Sequence, residues 1–340
     1  MLAAAVAGSA QGRGAAVAYT VHPLVSDSAS APATDASLVN AWGLTAGPTT
    51  PWWTANNGTN TSTLYSGTGT KTPLTVAVAG APTGTVFNPS ATDFSVSQAG
   101  KSGASRFLFD TEGGTLLGWT PSVNGTAAVV AVDHSGAGTV YKGLAVANDH
   151  LYATDFHNGR VDVFDASFDP VTVSGSFTDT KVAKGFAPFG IQALGGNIFV
   201  TYAQQDAAKH DDVAVPGKAF VDEFTTDGKL VGRVINSGLK NAPLNAPWGL
   251  AMAPADFGSF AGDLLVGNFG NGRISAYAPK GSNWVYKGQL RNADGTIVTI
   301  DGLWGLEFGN GAAAGPANTL YFTAGPSGEQ HGLFGSVTAG

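Results

Sequence analysis

The sequence predicts an all-β fold, a six-bladed β-propeller of four-stranded antiparallel blades closed by an N-terminal strand. The first observation behind this prediction is a short glycine-containing strand pattern that recurs along the 340 residues. The second is a hairpin pattern that follows each copy. Composition agrees, because 48 glycines, 17 prolines and only 12% charged residues are typical of many short strands joined by tight turns.

The recurring strand pattern reads "AWGLTAGP", "YKGLAVAN", "PFGIQALG", "PWGLAMAP" and "LWGLEFGN". Its aligned glycines are Gly43, Gly143, Gly190, Gly249 and Gly305. The first gap of 100 residues is about twice the later gaps of 47 to 59 residues. A degenerate copy without the glycine is therefore expected near Asp93 and Phe94, in "NPSATDFSVS". These copies give six units of about 50 residues.

The hairpin pattern is clearest in "DLLVGNFGNGRISAYAP", residues 263–279, where two strand-like runs flank a glycine-rich turn. Each unit therefore contains an inner strand, a hairpin of two further strands, and an outer strand. Candidate outer strands are "LTVAVAG", "AAVVAVD", "VSGSFTD", "LVGRVIN" and "VYKGQLR". The sixth unit lacks one, and "VAYTVHPLVSD" near the N-terminus is expected to complete it. Repeating such units around an axis leaves only short, protected sheet edges.

Composition and charge exclude several classes of protein. A net charge of -7 argues against a nucleic-acid partner, since no basic surface would neutralise phosphates. No apolar run reaches the length of about 18 residues that a membrane span needs. With no cysteine, disulfides and thiolate metal sites are excluded.

Residues 1–17 are interpreted as a residual export signal or a disordered Ala-rich tail, and residues 18–340 as a single propeller domain. We expect a secreted or extracytoplasmic monomer.

The pair "APWGLAMAP" and "DLLVGNFGNGRISAYAP" resembles an NHL-type repeat, in which a strand with a Gly-Leu pair precedes a hairpin ending in an Asn-x-Arg-Ile motif. From about Tyr19 onward the chain also resembles a family of secreted bacterial proteins of unassigned function that share "NAWGL", "WTANNGTNTSTLY" and "KHDDVAVPG". The resemblance implies a propeller fold and no particular activity, because propellers carry many chemistries.

Polar residues are expected to converge at one mouth of the central channel, where each inner strand begins and each hairpin turn lies. The polar residues assigned to this face include Asn56, Asn57, Glu112, Lys142, Asp155, His157, Asn268, Glu329 and His331. Blade four has an unusually long turn, "AQQDAAKHDDVAVPGK", and such loops are often functional. It carries His210, Asp211 and Asp212.

Imidazole and carboxylate groups at one mouth favour a divalent metal site, for Zn or Ca. The predicted metal ligands are His157, His210, Asp212 and His331, and the predicted catalytic residues are His157, His210 and Asp211. A Ca site built from Asp and Asn oxygens is an alternative, and the gluconolactonase-like propellers use such a site. A solvated loop without any metal is a second alternative.

Aromatic residues open several inner strands, so a sugar or another flat ligand is a further possibility at the same mouth. The predicted substrate-binding residues are Trp42, Asn57, Trp248, Asn268 and Trp304. The alternative is that these tryptophans pack between blades.

Two functions remain open at this stage. One is an exported metal-dependent lyase or hydrolase acting on a small polar substrate. The other is a non-catalytic extracellular scaffold that binds a glycan or a protein.

Overall fold

Six small antiparallel sheets are arranged as the blades of a propeller in a computed structural model, which describes residues 17–235, 243–281 and 283–340. The tail predicted for residues 1–17 lies outside the described residues except at its last position. None of the described helices is both long and apolar enough to cross a membrane. The described helices are three short 3-10 turns: Asn57–Thr59, Ser135–Ala137 and Gly258–Phe260.

The strands follow one another blade by blade. The N-terminal strands are β1 (Tyr19–Ser26) and β2 (Ala33–Thr34). Blade one contains β3 (Ala41–Thr45), β4 (Trp52–Asn56), β5 (Thr61–Tyr65) and β6 (Lys71–Ala77). Blade two contains β7 (Pro82–Phe87), a separate hairpin of β8 (Ser95–Gln98) and β9 (Lys101–Ala104), then β10 (Phe107–Thr111), β11 (Thr115–Trp119) and β12 (Val129–Asp133). Blade three contains β13 (Tyr141–Ala147), β14 (His150–Asp155) and β15 (Arg160–Phe164).

Blades four to six complete the ring. Blade four contains β16 (Phe186–Leu194), β17 (Asn197–Gln205), the short β18 (Asp212–Val213), β19 (Phe220–Phe224) and β20 (Leu230–Ile235). Blade five contains β21 (Pro247–Met252), β22 (Leu264–Asn268), β23 (Arg273–Lys280) and β24 (Asn283–Gln289). Blade six contains β25 (Leu303–Phe308), β26 (Leu320–Ala324) and β27 (Leu333–Ala339). The hairpin in residues 263–279 is thus the β22–β23 pair, as predicted.

The inner strands meet around the axis through a ring of six glycines. A Cβ atom on any of them would lie less than 3 Å from the backbone of the next blade's inner strand. For example, it would lie 2.6 Å from the Thr83 carbonyl oxygen at Gly43 and 2.8 Å from the Trp42 carbonyl oxygen at Gly305. We call the six positions the glycine ring: Gly43, Gly84, Gly143, Gly190, Gly249 and Gly305. Only a residue without a side chain allows the blades to approach this closely.

Threonine hydroxyls tie the same junctions together. The Thr154 hydroxyl donates to the Phe189 carbonyl at 2.6 Å, and the Thr201 hydroxyl donates to the Pro247 carbonyl at 2.6 Å. The Thr323 hydroxyl donates to the Trp42 carbonyl at 2.5 Å and so links blade six to blade one. Each bond runs from the second strand of one blade to the inner strand of the next, which satisfies buried carbonyls beside the channel.

The N-terminal strand closes the propeller, as predicted. β1 pairs antiparallel with β27 along Tyr19 to Ser26 and supplies the outer strand of blade six. Chain ends from opposite termini therefore share one sheet. With β1, blade six has four antiparallel strands, as blades one and five do, and the two-residue β2 pairs parallel with β1 outside them.

The prediction for the inner strand of blade two was wrong. That strand is β7, "PTGTVF", and its glycine is Gly84. The segment around Asp93 and Phe94 instead precedes the inserted β8–β9 hairpin. The sequence concealed the true copy because Gly84 is followed by Thr85, whereas the glycine of every recognised copy is followed by Leu or Ile.

The outer strand predicted in blade three, "VSGSFTD", is not formed, and the described sheet has three strands. This segment is attached to blade four instead. The Gly175 N–H donates to the Asp227 carbonyl at 2.8 Å, and the Phe177 N–H donates to the Gly228 carbonyl at 3.1 Å. These bonds hold the segment away from the edge of β15.

Asp110 replaces the junction threonine in blade two. Its Oδ1 accepts hydrogen bonds from the Gly84 N–H at 2.5 Å and from the Thr83 hydroxyl at 2.9 Å. Its Oδ2 is buried and has no hydrogen-bond partner within the described parts of the chain. Burial raises the pKa of Asp110 to about 7, although the hydrogen bonds from Thr83 and Gly84 oppose this rise.

The glycine ring predicts a strong cost for a methyl group at Gly249. We expect Gly249→Ala to lower the free energy of unfolding by about 2 kcal/mol or more, because the added Cβ would meet the Trp304 carbonyl oxygen of the next blade. Urea denaturation measures this. Gly136→Ala is the matched control, since nothing lies within 4 Å of its Cβ position, and it should stay within about 0.5 kcal/mol of the unchanged protein. Equal effects at both sites would contradict the packing account.

The raised pKa of Asp110 predicts a specific pH dependence of stability. The folded pKa of about 7 exceeds the unfolded value of about 3.9, so the associated stability is complete below pH ~4 and is lost as the pH rises through about 7. Asp110→Asn keeps the acceptor oxygen and cannot ionise. Its unfolding free energy should therefore fall less between pH 5 and pH 8, by about 2–3 kcal/mol, in urea titrations. Parallel pH profiles for the two proteins would show that Asp110 does not ionise as described.

Candidate functional site

A buried lysine lies at one mouth of the channel, where the inner strands begin. Lys142 precedes Gly143 in β13, and its side chain is only 1% exposed. Its Nζ donates to Glu112 Oε1 from the hairpin turn of blade two and, at 3.1 Å, to Asp211 Oδ1 from the long turn of blade four. Burial alone would lower the pKa of Lys142, but the charges of Glu112 and Asp211 raise it overall. The ammonium therefore stays charged.

Aromatic side chains close the channel next to this lysine. Lys142 Nζ lies 5.0 Å from the centre of the Trp42 ring. Trp42 stacks on Trp304 with ring centres 3.5 Å apart, and Phe269 stacks on the other side of Trp304 at 3.9 Å. Phe189 also contacts both tryptophans edge-on. We call this cluster the aromatic plug: Trp42, Phe156, Phe189, Trp304, with Trp248 and Phe269 packed against it.

The positions of the tryptophans in the aromatic plug distinguish a substrate-binding role from a packing role. Trp42 is 2% exposed and Trp304 is 0% exposed, so neither lines an open binding surface as predicted for a substrate-binding residue. Both tryptophans pack inside the protein instead, because their stacked indole rings fill the channel. Trp248 is partly exposed, and its indole N–H donates to the Lys142 carbonyl at 2.7 Å. It therefore fixes the backbone that carries the lysine.

Two asparagines connect the carboxylates around the mouth. The Asn57 side-chain amide donates to Glu112 Oε2 at 2.8 Å, so Asn57 lies next to the carboxylate that holds Lys142. The Asn40 amide donates to Glu329 Oε2 at 2.7 Å and to Asn57 Oδ1 at 3.3 Å. The Trp304 indole N–H in turn donates to Asn40 Oδ1 at 3.1 Å. This series of hydrogen bonds orients the carboxylates of Glu112 and Glu329.

The long turn of blade four folds inward over the mouth. Asp206 Oδ1 accepts the His210 N–H at 2.8 Å and the Asp211 N–H at 3.3 Å, which bends the turn back on itself. β18 then pairs with the end of β17 and returns the chain to the blade. As a result, Asp211 reaches Lys142, and His210 Nδ1 lies 2.9 Å from Asp211 Oδ1.

Asp212 is the carboxyl group best suited to proton transfer at this mouth. Burial raises its pKa to about 7, Lys142 opposes this rise, and the charges of Glu329 and Asp211 add to it. Its buried Oδ2 has no hydrogen-bond partner among residues 17–235, 243–281 and 283–340. Burial also raises the pKa of Glu329, against the hydrogen bond from Asn40. We call this group the acidic mouth: Glu112, Lys142, His210, Asp211, Asp212 and Glu329.

Glu112, His210 and Asp211 form a group that can hold a metal ion. One potential ligand atom from each lies within 4.8 Å of the others, and this is the only such group of three among residues 17–235, 243–281 and 283–340. The His210 and Asp211 side chains are 46% and 65% exposed, so a cation can reach them from solvent. Lys142 contacts both carboxylates, so an entering cation has to displace its ammonium or share the carboxylates with it.

The structure does not bring the four predicted metal ligands together. His210 belongs to the metal-holding group, whereas His157, Asp212 and His331 do not. His331 Nδ1 lies 2.9 Å from Asp27 Oδ2, so the ring is engaged beside the closing strand β1. The His157 ring lies close to Gly138, at the end of the Ser135–Ala137 turn that precedes β13. The repeat alignment predicts that these turns lie at one end of the propeller, but it does not predict where each side chain points.

Asn268 has a structural role rather than the predicted substrate-binding role. It is fully buried. Its side-chain oxygen accepts the Asn245 N–H at 2.9 Å, and its amide donates to the Arg273 carbonyl at 2.9 Å. Its polar atoms hold the β22–β23 turn and are not available to a ligand.

The sequence placed Glu112, Lys142 and Glu329 on the correct face but did not identify them as site residues. Lys142 carried a signal, because it is the only charged residue that directly precedes a glycine of the ring. A charge in that position must be buried and therefore needs counterions. Asn40 gave no comparable signal.

Two viral proteins resemble this chain over most of its sequence. No model of a known protein family matches it. It is 30% identical to a protein of Acanthamoeba polyphaga mimivirus over 339 residues, which covers 96% of this chain and 81% of the relative. The chain belongs to the same family as that protein, which is named "Uncharacterized protein R648". A second mimivirus relative, "Uncharacterized protein L690", is 30% identical over 89% of this chain and 81% of its own length.

Solved propeller structures share the fold at low sequence identity. A streptogramin B lyase structure aligns with a TM-score of 0.52 and 11% identity, covering 95% of this chain and 98% of that one. The soluble aldose sugar dehydrogenase of Escherichia coli aligns with a TM-score of 0.56 and 13% identity, covering 94% and 99%. At these identities the likeness concerns the fold alone.

Proposed function

We propose that this protein is an enzyme, a lyase or hydrolase that acts on a small polar substrate at the acidic mouth. The observation that carries the proposal is Asp212, a carboxyl with an unpartnered buried oxygen and a pKa of about 7 beside a buried ammonium. A group that is half ionised near neutral pH can both accept and donate a proton, which suits general acid–base catalysis. Strongly shifted pKa values of this kind are common at active sites.

The neighbouring residues supply complementary roles. Asp212 would remove a proton from the substrate or from an attacking water and return it to the leaving group. Lys142 would stabilise negative charge that develops on a substrate oxygen, because its ammonium is desolvated and fixed by Glu112 and Asp211. The aromatic plug beneath Lys142 excludes water from below and lowers the local dielectric constant.

The metal part of the proposal concerns Glu112, His210 and Asp211. One imidazole and two carboxylates suit Zn with an open water position, and the carboxylate oxygens also suit Ca. A divalent cation bound there would polarise a carbonyl group or lower the pKa of a bound water. Residues Asp212 and Glu329 would remain free for proton transfer, since neither belongs to the metal-holding group.

The glycan-binding scaffold has less support. Its strongest feature was an aromatic rim of Trp42, Trp248 and Trp304, and two of these three side chains are buried in the aromatic plug. A buried carboxyl with a pKa near neutrality is also an unneeded cost in a protein that only binds, because desolvating a carboxyl destabilises the fold.

The proposal predicts a large catalytic effect for Asp212→Asn. We expect hydrolysis or elimination on a panel of chromogenic esters and lactones, assayed without metal and with Zn²⁺ or Ca²⁺, and, in the metal-free assay, a pH–rate profile that changes slope near pH 7. Asp212→Asn should lower kcat by about 100-fold or more, because proton transfer typically contributes that much. Continuous absorbance assays measure both quantities.

Asp256→Asn is the matched control, because Asp256 is exposed and lies in the β21–β22 connection at the other end of the propeller. It should keep the activity of the unchanged protein. Activity that survives Asp212→Asn with the same pH profile would overturn the role of Asp212. A correctly folded protein without activity on the whole panel under either metal would count against a hydrolase or lyase.

A further inference from the structure

The outer edge of blade three has no strand beside it in the described parts of the chain. Its sheet ends at β15, whereas an outer strand follows the corresponding strand in each of the other five blades. The Val163 carbonyl accepts the Val171 N–H at 2.9 Å, so the backbone groups of Val163 point away from β14. Val161 lies two residues earlier, and its N–H and carbonyl point the same way. Neither group of Val161 has a hydrogen-bond partner among the described residues.

A groove runs along this edge. It is a cavity of about 600 Å³ with β15 as one wall and residues 170–173, 176 and 177 as the other. A neighbouring cavity of about 300 Å³ shares Arg160, Ser176 and Phe177 with it, so the groove continues past the beginning of β15. An added strand lies about 4.8 Å from its neighbour in a sheet. A groove with two walls therefore suits a single extended chain better than the edge of another folded sheet.

The face of β15 that carries Val161 and Val163 is apolar. Val163 belongs to a buried cluster with Phe177, and Val161 and Val173 pack against this cluster. In an antiparallel pair, residues directly opposite each other point to the same face of the sheet. A guest residue opposite Val161 would therefore point toward this cluster, where an apolar side chain fits.

The other face of β15 carries an excess of negative charge. Arg160 Nε lies 2.6 Å from Asp162 Oδ1, and Arg160 Nη2 lies 3.2 Å from Asp155 Oδ2, so one guanidinium faces two carboxylates. Asp155 is fully buried, whereas Asp162 lines the groove. A guest residue opposite Asp162 would point to this face, and a basic side chain there complements the excess charge.

We propose that the groove beside β15 binds an extended peptide, which adds to blade three as its outer antiparallel strand. The guest residue opposite Val161 donates its N–H to the Val161 carbonyl and accepts the Val161 N–H. Antiparallel pairing, which the chain already begins between Phe164 and Pro170, places the residue opposite Asp162 directly before that guest residue. The recognised pattern is therefore a basic residue followed by an apolar one.

The probe is the peptide acetyl-Lys-Val-Thr-Thr-amide, titrated into the isotopically labelled full chain and followed by NMR. It begins at its lysine because Val171 occupies the position opposite Val163. We expect the amide signal of Val161 to shift. Hydrogen exchange of the same amide should slow by about tenfold or more at saturation, because the N–H becomes hydrogen bonded.

Backbone methylation of the peptide distinguishes strand pairing from attraction between charges alone. A methyl group on the valine nitrogen removes the donor to the Val161 carbonyl and should weaken binding by about tenfold or more. A methyl group on the lysine nitrogen is the matched control, because that N–H points away from β15 and its loss should weaken binding less than about threefold. Equal losses for the two methylated peptides would contradict strand pairing.

A charge reversal tests the basic position of the pattern. Glutamate in place of the peptide's lysine should weaken binding by about fivefold or more, because it would face Asp162. Asp162→Asn in the protein should reduce this preference for lysine to less than about twofold. Asp256→Asn, which removes an exposed charge in blade five, is the control and should keep the preference. The same preference in Asp162→Asn would show that the lysine does not face Asp162.

The free edge itself can also be tested without a variant that has to fold. No shift of the Val161 signal at millimolar peptide would overturn the proposal. Slow exchange of the Val161 amide in the free protein would also overturn it. Exchange that slows with rising protein concentration would indicate a second copy at the edge, and slow exchange at every concentration would indicate that the chain covers its own edge. None of these results depends on the activity proposed for the acidic mouth.

Discussion

The close approach of neighbouring inner strands at the glycine ring is the constraint on which the rest of the structure depends. At each of the six junctions the backbone of one blade occupies the space where the Cβ of the previous blade's glycine would be. The junctions have to close on themselves, so Gly305 of blade six meets Trp42 of blade one. The hydroxyl bond from Thr323 to the Trp42 carbonyl and the pairing of β1 with β27 secure that last junction.

The same constraint explains the chemistry of the acidic mouth. The residues directly before the ring glycines are brought together around the axis, and they are mostly aromatic: Trp42, Thr83, Lys142, Phe189, Trp248 and Trp304. The aromatic members fill the channel, whereas Lys142 places a positive charge where water is largely excluded. A buried charge is tolerated only when it is paired, and blades two and four provide Glu112 and Asp211. Burial is the main cause of the raised pKa of Asp212, and the charges of Glu329 and Asp211 add to it.

Most of the fold could be predicted from the sequence, because the repeated pattern contains the residues that the junctions between blades require. The glycine in "PWGL" or "PFGI" is required by the close approach, and the hairpin after it repeats with the blade. The prediction failed where local context overrides the repeat. In blade two, Gly84 is followed by Thr85 rather than by Leu or Ile, and an inserted hairpin separates β7 from β10. In blade three, hydrogen bonds to the β19–β20 turn at Asp227 and Gly228 hold the segment that would have formed the outer strand.

The site was predicted only in part, for a different physical reason. The repeat indicates which turns lie at one mouth, so His210 and Asp211 were correctly expected there. It does not indicate side-chain direction, which depends on local partners such as Asp27 for His331 and Asp206 for the blade-four turn.

The central claim is that Glu112, His210 and Asp211 converge at the acidic mouth to hold a metal. The most direct measurement is anomalous diffraction from crystals grown with Zn²⁺. The account predicts a peak at about 2.0–2.2 Å from these three side chains, with Lys142 moved aside or sharing the carboxylates. A well-ordered acidic mouth without a peak, or a peak at His157 and His331 instead, would contradict it.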